Sequence, residues 1–289
     1  MVNYKRIIMK KVAVLFGLLI LFSCQNFGQL KILGDLPSDL KEVSGVEFVS
    51  SSNLIWVHND GGNSSKLYLV SEKGKIIKVV DVKAKNHDWE DLTSDNKGNL
   101  YIGDFGNNRN RRKNLRILKV DQQYLTTNSA EVTKIEFSYP NQKKFPPKKK
   151  NRFFDTESFF YFKNNFYIFT KSRVKNKFGK TFLYKIPAQK GKHVAELIGE
   201  YDNCEDNDCW ITSADISPNG DKVVLLSQQN ILVFSNFRGD NFFSGDIKEI
   251  KLSYRSQKEG VCFKDNNTLL VTDEFARNSG GNLYELSIE

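Results

Sequence analysis

The feature that most constrains this chain is a module that it repeats. The clearest copy covers residues 88–120. It opens on Glu90-Asp91-Leu92-Thr93, runs through Leu100-Tyr101-Ile102-Gly103-Asp104 and turns at Phe105-Gly106-Asn107-Asn108. It then alternates again over Leu115-Arg116-Ile117-Leu118-Lys119-Val120. Period-2 alternation bounded by Gly, Asn and Asp marks short antiparallel strands. Four weaker copies keep the plan, at 44–71, 157–186, 213–236 and 259–288, and each is preceded by one more alternating segment. Units of about 40–50 residues built from four strands are the blades of a β-propeller. The expected fold is therefore all-β, a five-bladed β-propeller. A six-bladed ring and a long sandwich are the alternatives, because 139–154 is long and poorly patterned. The last copy stops after its third strand at Glu289, and residues 30–36 (LKILGDL) can supply the fourth. Borrowing that strand would join both ends of the chain in one blade and remove the open sheet edges.

The first residues read as a targeting segment, to be set apart from the fold. Lys5, Arg6, Lys10 and Lys11 form a positive region before an apolar run at 12–22. That run is too short for a membrane-spanning helix, which needs about 20 residues. It ends Leu21-Phe22-Ser23-Cys24 and resembles a bacterial lipobox, although Phe22 is bulkier than the residue usual there. Cys24 would then carry the lipid, and an ordinary secretory signal is the alternative. The expected organisation is a lipoprotein signal peptide at 1–23, a tether at 24–29 and one propeller domain at 30–289. The expected location is the cell envelope, on the outer membrane facing the periplasm, since Gln25-Asn26-Phe27 adds no acidic cluster. The formal charge of +9 falls to +5 once the four leader cations are set aside. So mild an excess, on an exported chain, makes nucleic acid an unexpected partner, and a monomer is expected. The excess is concentrated in Lys143, Lys144, Lys148, Lys149, Lys150 and Arg152. That run reads as a solvated loop or as a contact for anionic glycan, phosphate or lipid head groups.

Of the remaining cysteines, Cys204 and Cys209 are expected to close a small disulfide in the acidic loop DNCEDNDCW. A metal clip through them is the sharper alternative. Cys262 alternates inward and reads as core.

Propeller geometry turns this pattern into a map of the site. The inner strands should begin at Ser44, Glu90, Glu157, Ser213 and Glu259, placing three glutamates around the channel mouth. Above them would come His58-Asn59-Asp60, Asp104, Lys171 with Arg173, Gln228-Gln229 and Asp273-Glu274. Oxygen donors without His or Cys suit a hard cation, Ca²⁺ or Mg²⁺, with Glu90, Glu157 and Glu259 as its expected ligands. Asp60, Trp89, Asp104, Lys171, Arg173, Asp273 and Arg277 are the expected ligand-binding residues of the upper face. The alternative is structural: a polar residue starting each inner strand can hydrogen-bond the neighbouring blade and hold the ring together.

Four runs carry a resemblance: Glu42-Val43-Ser44-Gly45-Val46, Trp56-Val57-His58-Asn59-Asp60-Gly61-Gly62, Asp88-Trp89-Glu90-Asp91-Leu92 and Ile102-Gly103-Asp104-Phe105-Gly106-Asn107-Asn108. Together they are similar to the exported SdiA-regulated and phytase-like (esterase-like) propeller families, as is Glu259-Gly260-Val261. The resemblance implies an exported propeller and no particular activity. The chain has no nucleophile elbow, zinc motif or phosphate-cradling Gly loop. The expected function is an envelope-anchored propeller that binds a cation, glycan or peptide at its upper mouth. A metal-assisted hydrolase of a phosphate ester or lactone, with Glu90, Glu157 and Glu259 as ligands or general base, is one alternative. A protein-interaction scaffold is the other.

Overall fold

The structure, a computed structural model, describes residues 27–289. The leader and Cys24 lie outside the described residues. Among those, there are strands and five short 3₁₀ turns but no α-helix. The strands form five sheets. Blade 1 orders Val43–Val49, Leu54–Asn59, Lys66–Val70 and Ile76–Val82 from the inside outward. Blade 2 orders Trp89–Ser94, Leu100–Asp104, Leu115–Val120 and Thr133–Ser138. Blade 3 comprises Asp155–Phe162, Asn165–Lys171, Lys180–Pro187 and Glu196–Asp202. Blade 4 comprises Ser213–Ile216, Lys222–Leu226, Asn230–Ser235 and Asp246–Lys251. Blade 5 takes Gln257–Phe263, Thr268–Glu274 and Asn282–Ser287 from the C-terminal end, and its outer strand Lys31–Asp35 from the N-terminal end. Each inner strand neighbours those of the two adjacent blades, so the ring is closed. The protein is a five-bladed β-propeller. Residues 139–154 form no further blade and instead cross the upper face between blades 2 and 3.

Alternation explains where the core sits. Successive side chains of a strand point to opposite faces of its sheet, and each blade is packed on both faces. Leu100 and Ile102 therefore join the seam with blade 1, while Tyr101 between them joins the seam with blade 3. Five such apolar clusters result, one per seam. The seam between blades 2 and 3 is aromatic, with Phe105 edge-on to Phe159 at 5.1 Å. Two strands lace the ring from outside. Ser129–Ala130, from blade 2, pairs in parallel with the outer strand of blade 1, and Gly191–Val194, from blade 3, does so with that of blade 2.

The inner strands are joined by buried polar staples. The Asp91 carboxylate accepts from Phe159 N at 3.2 Å and from Ser213 Oγ at 3.2 Å, so one side chain ties three blades. Ser213 Oγ accepts from Val261 N at 3.0 Å and Asp215 Oδ2 from Phe263 N at 2.7 Å. Thr93 Oγ1 accepts from Tyr161 N, and Ser44 Oγ donates to the Glu90 carbonyl. The hydrogen-bonding role allowed for strand-opening residues thus falls to Ser44, Ser213 and their neighbours.

Candidate functional site

Four blades break their ladder at the same height. The pairing of inner and second strands shifts register between Val43 and Val46, Trp89 and Leu92, Thr156 and Ser158, and Lys258 and Gly260. Ser44, Glu90, Glu157 and Glu259 lie within these bulges. A bulge gives two residues to one partner position and re-aims a side chain. Here all four line one cavity of about 210 Å³, together with Asp60, Asn108, Lys171, Arg173, Gln257 and Glu274. Blade 4 has no bulge, and its equivalent Ser213 pairs regularly with Leu226.

The cavity has two electrically different sides. On one, Glu157 is paired with Lys171 at 3.0 Å and with Arg173 at 3.2 Å, while Arg173 also binds Asp155 and Asn108. Burial pushes the Glu157 carboxyl up, but the two cations overcome this and hold it below the usual range. Lys171 and Arg173 lie over the Trp210 ring, at 5.3 and 4.9 Å, and Trp210 donates its indole N–H to Ser172 O. A disulfide joins Cys204 and Cys209, with Cα atoms 5.7 Å apart, in the loop leading to Trp210.

On the other side, Asp60, Asp88 and Glu90 bring carboxylate oxygens within 4.8 Å of one another. Glu90 is only 5 % exposed, and among the described residues no hydrogen bond or ion pair reaches its carboxylate. Burial, then repulsion from Glu157, Asp60 and Asp88, pushes it well above the usual range. Burial raises Asp88 as well, against the pull of Arg112, and lifts Asp60 to about 7. Next to this trio, burial lifts Glu259 to about 8 and Glu274 to about 7. Crowded carboxylates of this kind must hold protons or a cation.

The structure brings Asp60, Glu90, Glu157, Glu259, Lys171 and Arg173 together, as the repeat pattern expects. It differs on the metal ligands, because Lys171 and Arg173 already neutralise Glu157 and the trio within reach of one ion is Asp60, Asp88 and Glu90. Four expected ligand-binding residues stand elsewhere. Trp89 is fully buried in the seam with blade 1, edge-on to His58. Asp104 is fully buried between Arg112 at 2.9 Å and Arg116 at 2.7 Å. Asp273 accepts from Asn282 N and from Tyr284 OH at 2.8 Å within its own blade. Arg277 projects into solvent from a turn outside the cavity.

One position explains Asp104 and Asp273. Asp104 pairs with Trp89 and Asp273 with Lys258, the residues just before the bulged glutamates. A one-residue shift moves a side chain to the other face, so the mouth receives Asp60 and Glu274, one place further along. Lys171 obeys the same rule: it pairs with Asp155, two places before Glu157, as Glu274 pairs with Gln257, and so reaches the mouth and Glu157, while Thr170 holds the place of Asp104. Asp88 and Asp155 were missed, although the sequence carries their signal. Asp88-Trp89-Glu90 and Asp155-Thr156-Glu157 repeat an Asp two places before each glutamate.

No family model and no curated protein matches the chain. Two solved structures show what it is similar to in shape. A gluconolactonase from Xanthomonas campestris is 12% identical, with a TM-score of 0.52 over 89% of this chain and 89% of that one. The PQQ-bound aldose sugar dehydrogenase of Streptomyces coelicolor is 9% identical, with a TM-score of 0.53 over 89% of this chain and 97% of that one. At these identities the likeness concerns the fold alone. It agrees with the ring described above: the chain is a β-propeller protein.

Proposed function

We propose that this protein is a ligand-binding propeller whose channel mouth takes a hard divalent cation, Ca²⁺ or Mg²⁺, on Asp60, Asp88 and Glu90. The observation that carries this reading is the meeting of three carboxylates within 4.8 Å around a Glu90 that, among the described residues, no donor reaches. Oxygen-only donors select hard cations over zinc or copper. Lys171 and Arg173 across the cavity, already paired with Glu157 and Asp155 and packed on Trp210, offer N–H donors rather than free charge to the ligand. In this reading the cation sets affinity on one side and the cation pair orients the ligand on the other.

The experiment is a melting curve with Ca²⁺, with Mg²⁺ and with EDTA. A cation that binds the native state alone raises Tm by mass action, by about 3 kcal/mol of stability at a hundredfold excess over Kd. Glu90→Gln and Asp88→Asn should abolish the rise. An unchanged Tm in wild type with either cation removes the site.

A second reading, hydrolysis of a phosphate ester or lactone, is favoured by Glu259. Its carboxyl lines the cavity, is raised to about 8 and among the described residues makes no ion pair, which suits a group that exchanges a proton near neutral pH. Turnover that survives Glu259→Gln unchanged would exclude that role. A lipid anchor on Cys24 in the cell envelope completes the proposal, supported by the basic and apolar leader before Ser23-Cys24. Incorporation of labelled palmitate, lost in Cys24→Ala, is its test.

A further inference from the structure

The mouth is bordered on the side of blades 2 and 3 by a strongly basic ridge that the cation site does not use. Two loops build it, residues 105–114 and 139–154, and neither contains an Asp or Glu. Arg109, Arg111, Lys113, Lys143, Lys144, Lys148, Lys149 and Lys150 are all exposed. Among the described residues, none of these eight pairs with a carboxylate; the ion pairs formed nearby use Arg112 and Arg173 instead.

Like charges on free loops would swing apart, but these loops are fastened together. Asn110, fully buried in the left-handed region, takes Phe154 N on its Oδ1 at 2.9 Å, and its carbonyl takes Gln142 Nε2 at 3.0 Å. Asn107 Nδ2 donates to Phe154 O at 3.0 Å, and Lys113 lies 5.1 Å over the Phe145 ring. Arg173 N donates to Arg152 O, which joins the ridge to the wall of the mouth. A fixed row of uncompensated cations costs stability through self-repulsion and gains it back when a polyanion binds.

We infer that this ridge docks a linear anionic polysaccharide, carboxylated or sulfated, lying across blades 2 and 3. The shape of the charge favours a narrow chain over a flat anionic membrane. Elsewhere the same face is mixed rather than basic, with exposed Asp39, Glu205 and Asp206 set among Lys41, Arg255 and Arg277. A bilayer pressed on the whole face would meet those acids, whereas a chain on one side avoids them. A glycan is favoured over single-stranded nucleic acid because the ridge exposes no aromatic platform. Phe145 and Phe153 are half-buried, and stacking on such rings carries that kind of binding.

The test measures binding of the purified protein to heparin and to polygalacturonate by fluorescence anisotropy. At least one glycan should bind, with Kd weakening about tenfold or more as NaCl rises from about 0.05 M to about 0.5 M. The triple variant K148Q/K149Q/K150Q should weaken it at least about tenfold with Tm unchanged. R109Q/R111Q, on the other loop, should act in the same direction and stands in if the triple variant fails to fold. Glu90→Gln should leave glycan affinity intact, which separates the ridge from the cation site. The inference is overturned if neither glycan binds or if both loop variants bind as wild type does. It is also overturned if phosphatidylserine vesicles or oligothymidylate bind more tightly than both glycans.

Discussion

At the scale of single residues, the mouth stores electrostatic strain that pH should reveal. Burial holds Asp60 and Glu274 near 7 and Glu259 near 8, against about 4 in the unfolded chain. Between those values the native state binds more protons than the unfolded state, so stability must fall as pH rises. The metal-free protein should therefore lose Tm steadily from about pH 5 to about pH 8. Glu259→Gln should flatten that slope, and saturating Ca²⁺ should restore most of the loss at the upper end. Glu157, held low by its cations, contributes only on stronger acidification and leaves this window alone. A slope of opposite sign in EDTA would show that Asp60, Glu259 and Glu274 are not raised by burial. Deeper in the channel, Asp91 joins three blades through Phe159, Ser213 and its own strand. Asp91→Ala would leave the buried amides of Leu92 and Phe159 without this acceptor and the Ser213 hydroxyl with only its 3.4 Å contact to Val261 O, and should cost about 3 kcal/mol in urea unfolding.

At the scale of elements, the bulge sets which residues reach the mouth. The sequence makes the glutamates visible because they recur at one place in the repeat, and Glu90, Glu157 and Glu259 do share the cavity. It hides the bulge itself, which is a backbone event with no residue signature here, and with it the side on which neighbours fall. Trp89 and Asp104 face the blade for that reason, and Asp60 faces the mouth from a place one step later. The five modules were legible through alternation; the lacing strands Ser129–Ala130 and Gly191–Val194 were not, being too short to show a period. One glycine makes the role of the bulge testable. A β-carbon on Gly106 would stand 1.8 Å from Glu90 Oε1 and 2.6 Å from Asp88 Cγ. Gly106→Ala should displace both carboxylates and weaken cation affinity by about tenfold or more, since a misplaced ligand forfeits most of its interaction. Calorimetric titration against wild type measures this, and circular dichroism should show the sheets retained. Equal affinity would place the cation elsewhere than on Asp88 and Glu90.

At the scale of the whole molecule, closure depends on one borrowed strand. Lys31–Asp35 pairs with Asn282–Ser287, and Leu36 N donates to Gly281 O at 2.7 Å. Leu30 is buried in the seam between blades 4 and 5, and Phe27 packs against Tyr254 at 4.8 Å and Tyr284 at 5.6 Å. The Lys31–Glu285 ion pair is exposed on the lysine side and adds little. What the strand supplies is apolar burial and a covered edge. Fully burying Leu30 is worth about 1.5–3 kcal/mol, and the half-buried Phe27 and the ladder bonds add to this. A chain beginning at Pro37 should therefore melt about 10 °C or more below the full protein. It should also lose the cation response, because blade 5 carries Glu259 and Glu274 beside the trio and loses its register with blade 1. The bared ladder of Asn282–Ser287 is a template for another chain, so the truncated protein should self-associate with rising concentration. A synthetic peptide of residues 27–40 added in trans should restore Tm and the monomer together, which a merely destabilising deletion would not allow. If the truncated chain melts as the full one does and stays monomeric, the ring closes without its borrowed strand, and the convergence of distant acids has another cause.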